Sequence, residues 1–286
     1  LSGATGFDLG LEQRGGYDLH FSEECLEATV AKYEVLKAKL GGDYPYEVLG
    51  HNALRREEPA IGPKVVGAVL HHQDGHANPL KLLRALADDV RRLGGVILNG
   101  KQVTDVTKRD LFCITYADGT EVQAQKTVLS AGLGAMTLGP KLGFKAHIRP
   151  QRGQVLITEK LPKLINRPSL IARQVDEGGI QIGATNEEVG LDDHVTQPGL
   201  SGLAAEAIAA FPVLAKAQLV RSWGALRILS PDGLPIYQQS TEMPGAYLVT
   251  CHSGITLAAA HARFLPSWLE AAGDAPDLEV FSEARF

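Results

Sequence analysis

The sequence predicts a mixed α/β (α+β) protein in which α/β pieces are interleaved with a β-rich part. Three observations point there. Helix and strand signals alternate up to Gly143, strand-like pieces then follow one another with a single helix between them, and a strand–turn–helix comes near the end. No repeat, low-complexity segment or Ser/Gly/Pro-rich linker divides the 286 residues into independent units.

Residues 16–21 alternate polar and apolar and read as a strand. Ser22 is a helix N-cap, and Glu23 and Glu24 suit the positive end of the helix dipole. Leu26, Val30, Tyr33 and Leu36 or Leu40 form its apolar stripe before the Gly41-Gly42 stop. Residues 65–70 make a second strand. Asn78-Pro79 pairs a capping side chain with a proline at the first helical position, where a missing N–H costs nothing. Leu80, Leu83, Leu86 and Val90 carry that helix to Gly94-Gly95, and residues 96–98 read as a short strand buried on both faces. Asp118-Gly119, between residues 111–116 and 120–124, is a hairpin signal because both residues tolerate positive φ. Residues 126–130 form a buried strand running into Ala131-Gly132-Leu133-Gly134.

Beyond Gly143, residues 152–159, 169–173, 179–184 and 220–223 are strand-like, which predicts a mixed or antiparallel sheet; a helix covers about 200–211. Residues 247–250 are a strand, 251–254 a turn and 255–269 a helix.

The composition, 44% hydrophobic and 21% charged, is that of a globular chain long enough to bury a large core. A net charge of −5 favours neither nucleic acid nor a membrane surface as partner, and no apolar run approaches the roughly 20 residues of a membrane span. Cys25, Cys113 and Cys251 are odd in number, far apart and form no CxxC pair. That pattern predicts reduced thiols in a cytoplasmic setting, without disulfides or a zinc site. His71, His72 and His76 with Asp74 resemble a ligand set, but adjacent strand residues point to opposite faces, so no metal is expected.

Four segments carry chemistry. The buried strand ending in Ala131-Gly132 lets a ligand or another backbone approach closely. Arg152-Gly153 precedes a strand and reads equally as a solvated turn. Arg227 lies in an apolar stretch with no acid before Asp232, so an exogenous carboxylate is a credible partner for its guanidinium. Finally, His252-Ser253-Gly254-Ile255-Thr256 opens a helix whose first N–H groups offer positive potential to an electron-rich ligand edge. Cys251 beside them is a packing residue or a covalent attachment point, and Tyr237 and Tyr247 have structural or substrate-orienting roles.

These segments, in this order and with Asp74-Gly75-His76-Ala77-Asn78-Pro79, resemble the D-amino-acid oxidase/glycine oxidase superfamily of FAD enzymes. The branch most similar is that of D-hydroxyproline dehydrogenase, opine oxidase and hydrogen cyanide synthase subunits. The resemblance implies an incomplete FAD-binding Rossmann-like domain interleaved with a β-rich substrate domain. Residues 1–70 would be a substrate-domain part with a short cofactor-domain remnant, 71–143 an FAD-domain part, 144–240 the substrate domain, and 241–286 the C-terminal FAD-domain part. It implies FAD-dependent oxidation of an amino or cyclic imino acid, with hydride leaving the α-carbon for flavin N5. Arg227 would clamp the substrate carboxylate. Val103 would meet the adenine, Ala131 and Gly132 would pack on the cofactor, and Arg152 and Gly153 would form a turn on the wall between the domains. His252, Ser253, Gly254, Ile255 and Thr256 would flank the flavin ring, His252 as a polar group on the flavin side. An electron-accepting partner subunit is implied as well.

One departure from the family pattern stands out. The sequence contains no G-x-G-x-x-G unit between a strand and a helix, and Gly132-Leu133-Gly134 with Gly139 has the wrong spacing. With Leu rather than Met at position 1, the chain is expected to begin partway into a longer gene product and to be flavin-free or weakly occupied. The competing expectation is a non-catalytic subunit that keeps the fold without FAD.

Overall fold

A computed structural model describes residue 6 and residues 8–286, so Leu1 to Thr5 and Phe7 lie outside the described part. The described chain is a mixed α/β fold of four small sheets and six helices. In the first sheet, β3 (Gly67–His71) lies antiparallel between β1 (Gly16–His20) and β2 (Tyr46–Gly50). The second has the order β11 (Leu219–Leu229), β8 (Arg149–Lys160), β10 (Gly179–Gly183) and β9 (Ala172–Gln174), all antiparallel neighbours. Tyr17 N–H donates to Pro168 O at 2.8 Å, in the segment leading into β9, and links the first sheet to the second. A single core, including Leu19, Leu70, Leu156 and Ile180, packs them against α2 (His51–Glu57) and α5 (Gln197–Ala210) through Leu54 and Ala207.

The other two sheets share a second core. β4 (Val103–Lys108), β5 (Phe112–Tyr116) and β6 (Glu121–Ala124) form an antiparallel meander. β13 (Ala246–Thr250) pairs antiparallel with β12 (Ile236–Gln239) and parallel with β7 (Thr127–Leu129). Val106 and Phe112 of the meander pack on Leu129, Ile236 and Leu248 of that sheet.

Local signals placed several elements. Ser22 Oγ accepts the Cys25 N–H at 3.3 Å and caps α1 (Glu23–Lys39). Asn78 Oδ1 accepts from Leu80 and Lys81 and caps α3 (Pro79–Arg92), while Asp118-Gly119 closes the β5–β6 hairpin. The last helix, α6, covers Ala258–Glu270, and its entry turn is longer than expected; α4 is the short turn Ala135–Leu138. β11 runs well past Trp223 and carries Arg227 inside the strand.

Two expectations are corrected. Residues 96–98 form no strand: Val96, Ile97 and Leu98 are 80%, 36% and 49% exposed. A short apolar run becomes a strand only where another strand accepts its hydrogen bonds, and none pairs with it among the described residues. On α3 the expected stripe is out of phase. Leu82 and Ala85, with Leu86 of the expected stripe beside them, pack on Leu9 in a small third cluster, while Leu80, Leu83 and Val90 are exposed, because the helix carries two apolar stripes and tertiary packing selects one. α1 likewise buries only Leu26 of its expected stripe.

Glu58 is fully buried behind α2. One carboxylate oxygen accepts the Asn166 and Arg167 N–H groups at 2.8 and 3.3 Å, and the other has no partner. Burial pushes its carboxyl above the usual range despite those bonds. A raised folded-state pKa means that folding disfavours the ionised form. The cost is absent below the unfolded value of about 4.3 and fully present above the folded value. Glu58→Gln is therefore expected to raise the unfolding free energy at pH 8, with the gain closing as pH falls below about 4. Urea unfolding at both pH values checks this, and a gain independent of pH would contradict it.

Candidate functional site

The site is built on the long ladder between β8 and β11. Pairing from Leu219↔Thr158 to Leu229↔Arg149 sets Arg227 opposite Gln151 and Ala225 opposite Gly153. Alternation puts Arg221, Trp223, Ala225 and Arg227 on one face of β11. The opposite face of this sheet is the one that Leu156 and Ile182 bury in the core with α5.

The Arg227 guanidinium lies flat on Gly153. A Cβ at position 153 would stand 2.6 Å from its Cζ and from both terminal nitrogens, so only glycine leaves it room. Nη1 donates to Thr185 O at 2.8 Å and to Arg152 O at 3.3 Å, both neutral acceptors. No carboxylate pairs with it among the described residues, and burial alone pushes its pKa below the ordinary value. It is a half-buried cation fixed by backbone carbonyls, with Nε and Nη2 uncommitted.

Arg152 behaves in the opposite way. It sits inside β8, not at a turn, with its side chain 5% exposed, and so corrects the expectation of a turn at Arg152-Gly153. Nε donates to Glu187 at 2.6 Å and Nη1 to Asp192 at 2.6 Å, while a backbone bridge also joins Arg152 to Glu187. Gln154, fully buried, donates to Glu187 at 2.7 Å and to Thr196 at 2.9 Å and accepts the Thr196 N–H at 2.7 Å. This network pins residues 185–196 to β8 and holds Thr185 O where Arg227 reaches it. Neither Gln154 nor Glu187 was legible as part of the site, since the partners are 33 or more residues apart in the chain.

β7 and β13 are parallel, so the loops after them leave from the same end of the sheet. Strand carboxyl ends are where ligands settle in such sheets. After β7, Gly132 has φ +59° and its absent Cβ would meet Ile228 at 3.2 Å, which brings Ala131-Gly132 against the residue next to Arg227. After β13, residues 251–257 form the entry turn of α6. Gly254 has open space around it, and the Gly254, Ile255 and Thr256 N–H groups donate to no protein acceptor among the described residues. His252 is exposed, with Nδ1 3.1 Å from Ser253 Oγ. Burial pushes the half-buried Cys251 thiol up, which favours its neutral form.

Val103 begins β4 and is half-buried at the second core, in a different sheet from Arg227. Tyr237 and Tyr247 are engaged elsewhere. The Tyr237 hydroxyl, pushed up to about 12 by burial, lies 2.7 Å from His261 Nε2, and Tyr247 donates to Leu269 O at 3.1 Å. His71 packs on Tyr44 and His72 lies 3.7 Å from Glu47, so the two rings diverge as strand alternation demands.

The profile of the FAD dependent oxidoreductase (DAO) family matches residues 1–268. The chain belongs to that family. It is 37% identical over 288 residues to an opine oxidase subunit of Rhizobium meliloti, covering 100% of this chain and 77% of that protein. It is 31% identical over 248 residues to a hydrogen cyanide synthase subunit, HcnC, of Pseudomonas aeruginosa, covering 83% of this chain and 59% of that one. Glycine oxidase from Geobacillus kaustophilus has the same fold, with a TM-score of 0.91 at 24% identity over 100% of this chain and 78% of that structure. This is an FAD-dependent oxidoreductase fold. Among the described residues no helix is long and apolar enough to cross a membrane.

Gly153→Ala tests the contact between β8 and Arg227 without touching the arginine. The added methyl displaces the guanidinium, so if Arg227 holds a carboxylate as the family resemblance implies, the affinity for proline, read by calorimetry, is expected to fall at least about tenfold, the loss of one charge-assisted hydrogen bond. Unchanged affinity in a folded variant would show that Arg227 does not hold the carboxylate in this pose.

Proposed function

We propose that this chain takes part in FAD-dependent oxidation of an amino or cyclic imino acid whose carboxylate is held by Arg227. The observation that carries the reading is the half-buried guanidinium with neutral acceptors on one nitrogen and no carboxylate of its own. A planar carboxylate supplies the missing charge and two parallel hydrogen bonds. The names of relatives, opine oxidase and glycine oxidase, support substrates of amino-acid type. Two relatives are named as subunits of larger enzymes, which supports an electron-accepting partner subunit.

The residues at the carboxyl end of the parallel pair fit the flavin portion of FAD. Ala131 and Gly132 present a surface without bulk, and Gly254, Ile255 and Thr256 present unpaired N–H groups beside open space. Ser253, with His252 as its polar neighbour, would complete that edge, Val103 would meet the adenine, and Arg152 and Gly153 would act by placing Arg227. FAD, when bound, supplies the two-electron acceptor for carbon–nitrogen oxidation. The chain's own part is positioning. Arg227 binds and orients the substrate, the Arg152–Glu187–Gln154 network keeps that arginine still, and the free N–H groups stabilise negative charge where it develops. No side-chain base is required if the amine reacts neutral. On this reading residues 71–143 and 241–286 hold the cofactor and residues 1–70, with a short cofactor-domain remnant, and 144–240 the substrate; the two cores support a two-part division, with Phe144, Ala146 and Ile236 packing in the second core.

Hydrogen bonds to a charged group contribute about 1.5–3 kcal/mol, so Arg227→Ala is expected to weaken carboxylate substrates about 10- to 100-fold. Bleaching of the flavin absorbance by substrate, in protein supplied with FAD, measures it. An affinity that barely moves contradicts the assignment.

A further inference from the structure

The face of the second sheet that carries Arg227 continues into a separate cavity of about 580 Å³. Register defines its floor. Arg173 of β9 is opposite Gln181 of β10, Gln181 is opposite Ile157 of β8, and Ile157 is opposite Arg221 of β11. Direct cross-strand partners share a face, so these four side chains form one row, and steps of two along β11 lead through Trp223 and Ala225 to Arg227. Arg173, Gln181, Ile157, Arg221, Trp223 and His76 all line the cavity.

Two guanidinium groups line this cavity, and neither is in an ion pair with a carboxylate among the described residues. Arg173 donates from Nε and Nη2 to Gln181 Oε1 at 3.1 and 2.8 Å and from Nη1 to Ala77 O at 3.0 Å, all neutral acceptors. Arg221 lies over the Trp223 ring, 5.6 Å from its centroid. Two acids also line this cavity, at its exposed rim, and only Asp176 has a cationic partner. Asp176 pairs with Lys81 and accepts from Asn78 at 3.3 Å, and Glu177 accepts from Asn78 at 3.2 Å. Asp176 still attracts Arg173 from a distance, but burial outweighs it and pushes that arginine's pKa down. Arg173 is the partly buried cation of the two, and one with only neutral partners gains most from an incoming anion, while Arg221 is exposed beside it.

We propose that Arg173, with Arg221 beside it, forms a distal subsite for a second carboxylate on the substrate. The proposal rests on Arg227 as the clamp for the first. The Arg227 guanidinium covers Gly153 and that of Arg173 leans on Gln181, opposite Ile157, four residues further along β8. Four strand residues span about 13 Å, which leaves the two carboxylates roughly 6–8 Å apart after each guanidinium's own reach. The substrate class is an amino or imino acid bearing a long acidic arm, on its side chain or its nitrogen, whose apolar portion lies along Ile157 and Trp223.

Racemic 2-aminopimelate has carboxylates at that spacing, and racemic 2-aminoheptanoate has the same skeleton without the distal charge. Calorimetry on the full chain supplied with FAD is expected to show at least tenfold tighter binding of the dicarboxylate. Arg173→Met removes that preference while binding of 2-aminoheptanoate stays within twofold. Gln181→Glu neutralises Arg173 in place with almost no change of shape, and it removes the preference as well. Arg227→Ala weakens both ligands alike. Absence of a preference in the unmodified chain, or its survival in a folded Arg173→Met or Gln181→Glu variant, overturns the subsite. If Arg227→Ala weakens neither ligand, the clamp fails instead, and the distal variants identify what remains.

Discussion

The contact between a glycine on β8 and an arginine on β11 is the constraint on which the site depends. In the middle of a long antiparallel ladder, side chains from neighbouring strands normally fill the space between them. Gly153 leaves that space empty, and the Arg227 guanidinium lies down in it instead of standing out into solvent. A cation held this way has lost part of its hydration and gained only backbone carbonyls. On the proposed reading that imbalance makes it a receptor for a carboxylate, in contrast to Arg152 one residue before the glycine, whose two acids satisfy it.

The remaining architecture serves that contact. The Arg152–Glu187 pair and buried Gln154 tie the segment after β10 to β8, which fixes the Thr185 carbonyl under Arg227. Core residues on the far face, Leu156 and Ile182 among them, anchor the sheet against α5, so the polar face is rigid without being covered by a helix. The parallel pairing of β7 with β13 then brings the loops after both strands to one end of the neighbouring sheet, and Gly132 abuts β11 at Ile228. Arg227, the proposed carboxylate clamp, and the free backbone donors are thus placed by different sheets that meet at Gly132.

Much of this was legible where a residue acts on its own neighbours. Ser22, Asn78-Pro79 and Asp118-Gly119 placed helix starts and a hairpin because capping and turn chemistry are local. Arg227 stood out because a charge in an apolar stretch needs a partner. What depended on distant partners was not legible. Residues 96–98 have the composition of a buried strand, yet composition cannot supply a neighbouring strand. The phase of α3 turned on which of two apolar stripes meets the core, and Leu82 won over Leu80. Arg152 looked like a turn residue because the acids that bury it are 35 and 40 positions away.

The central claim is that Arg227, and not Arg152, is the arginine open to an incoming carboxylate. Nitrogen-15 NMR of the arginine Nε–H groups, assigned with Arg227→Lys and Arg152→Lys variants, tests it during a titration with proline. The Arg227 resonance is predicted to move saturably with ligand while the Arg152 resonance, already paired to Glu187 and Asp192, stays in place. Movement of Arg152 with Arg227 unchanged would contradict the account.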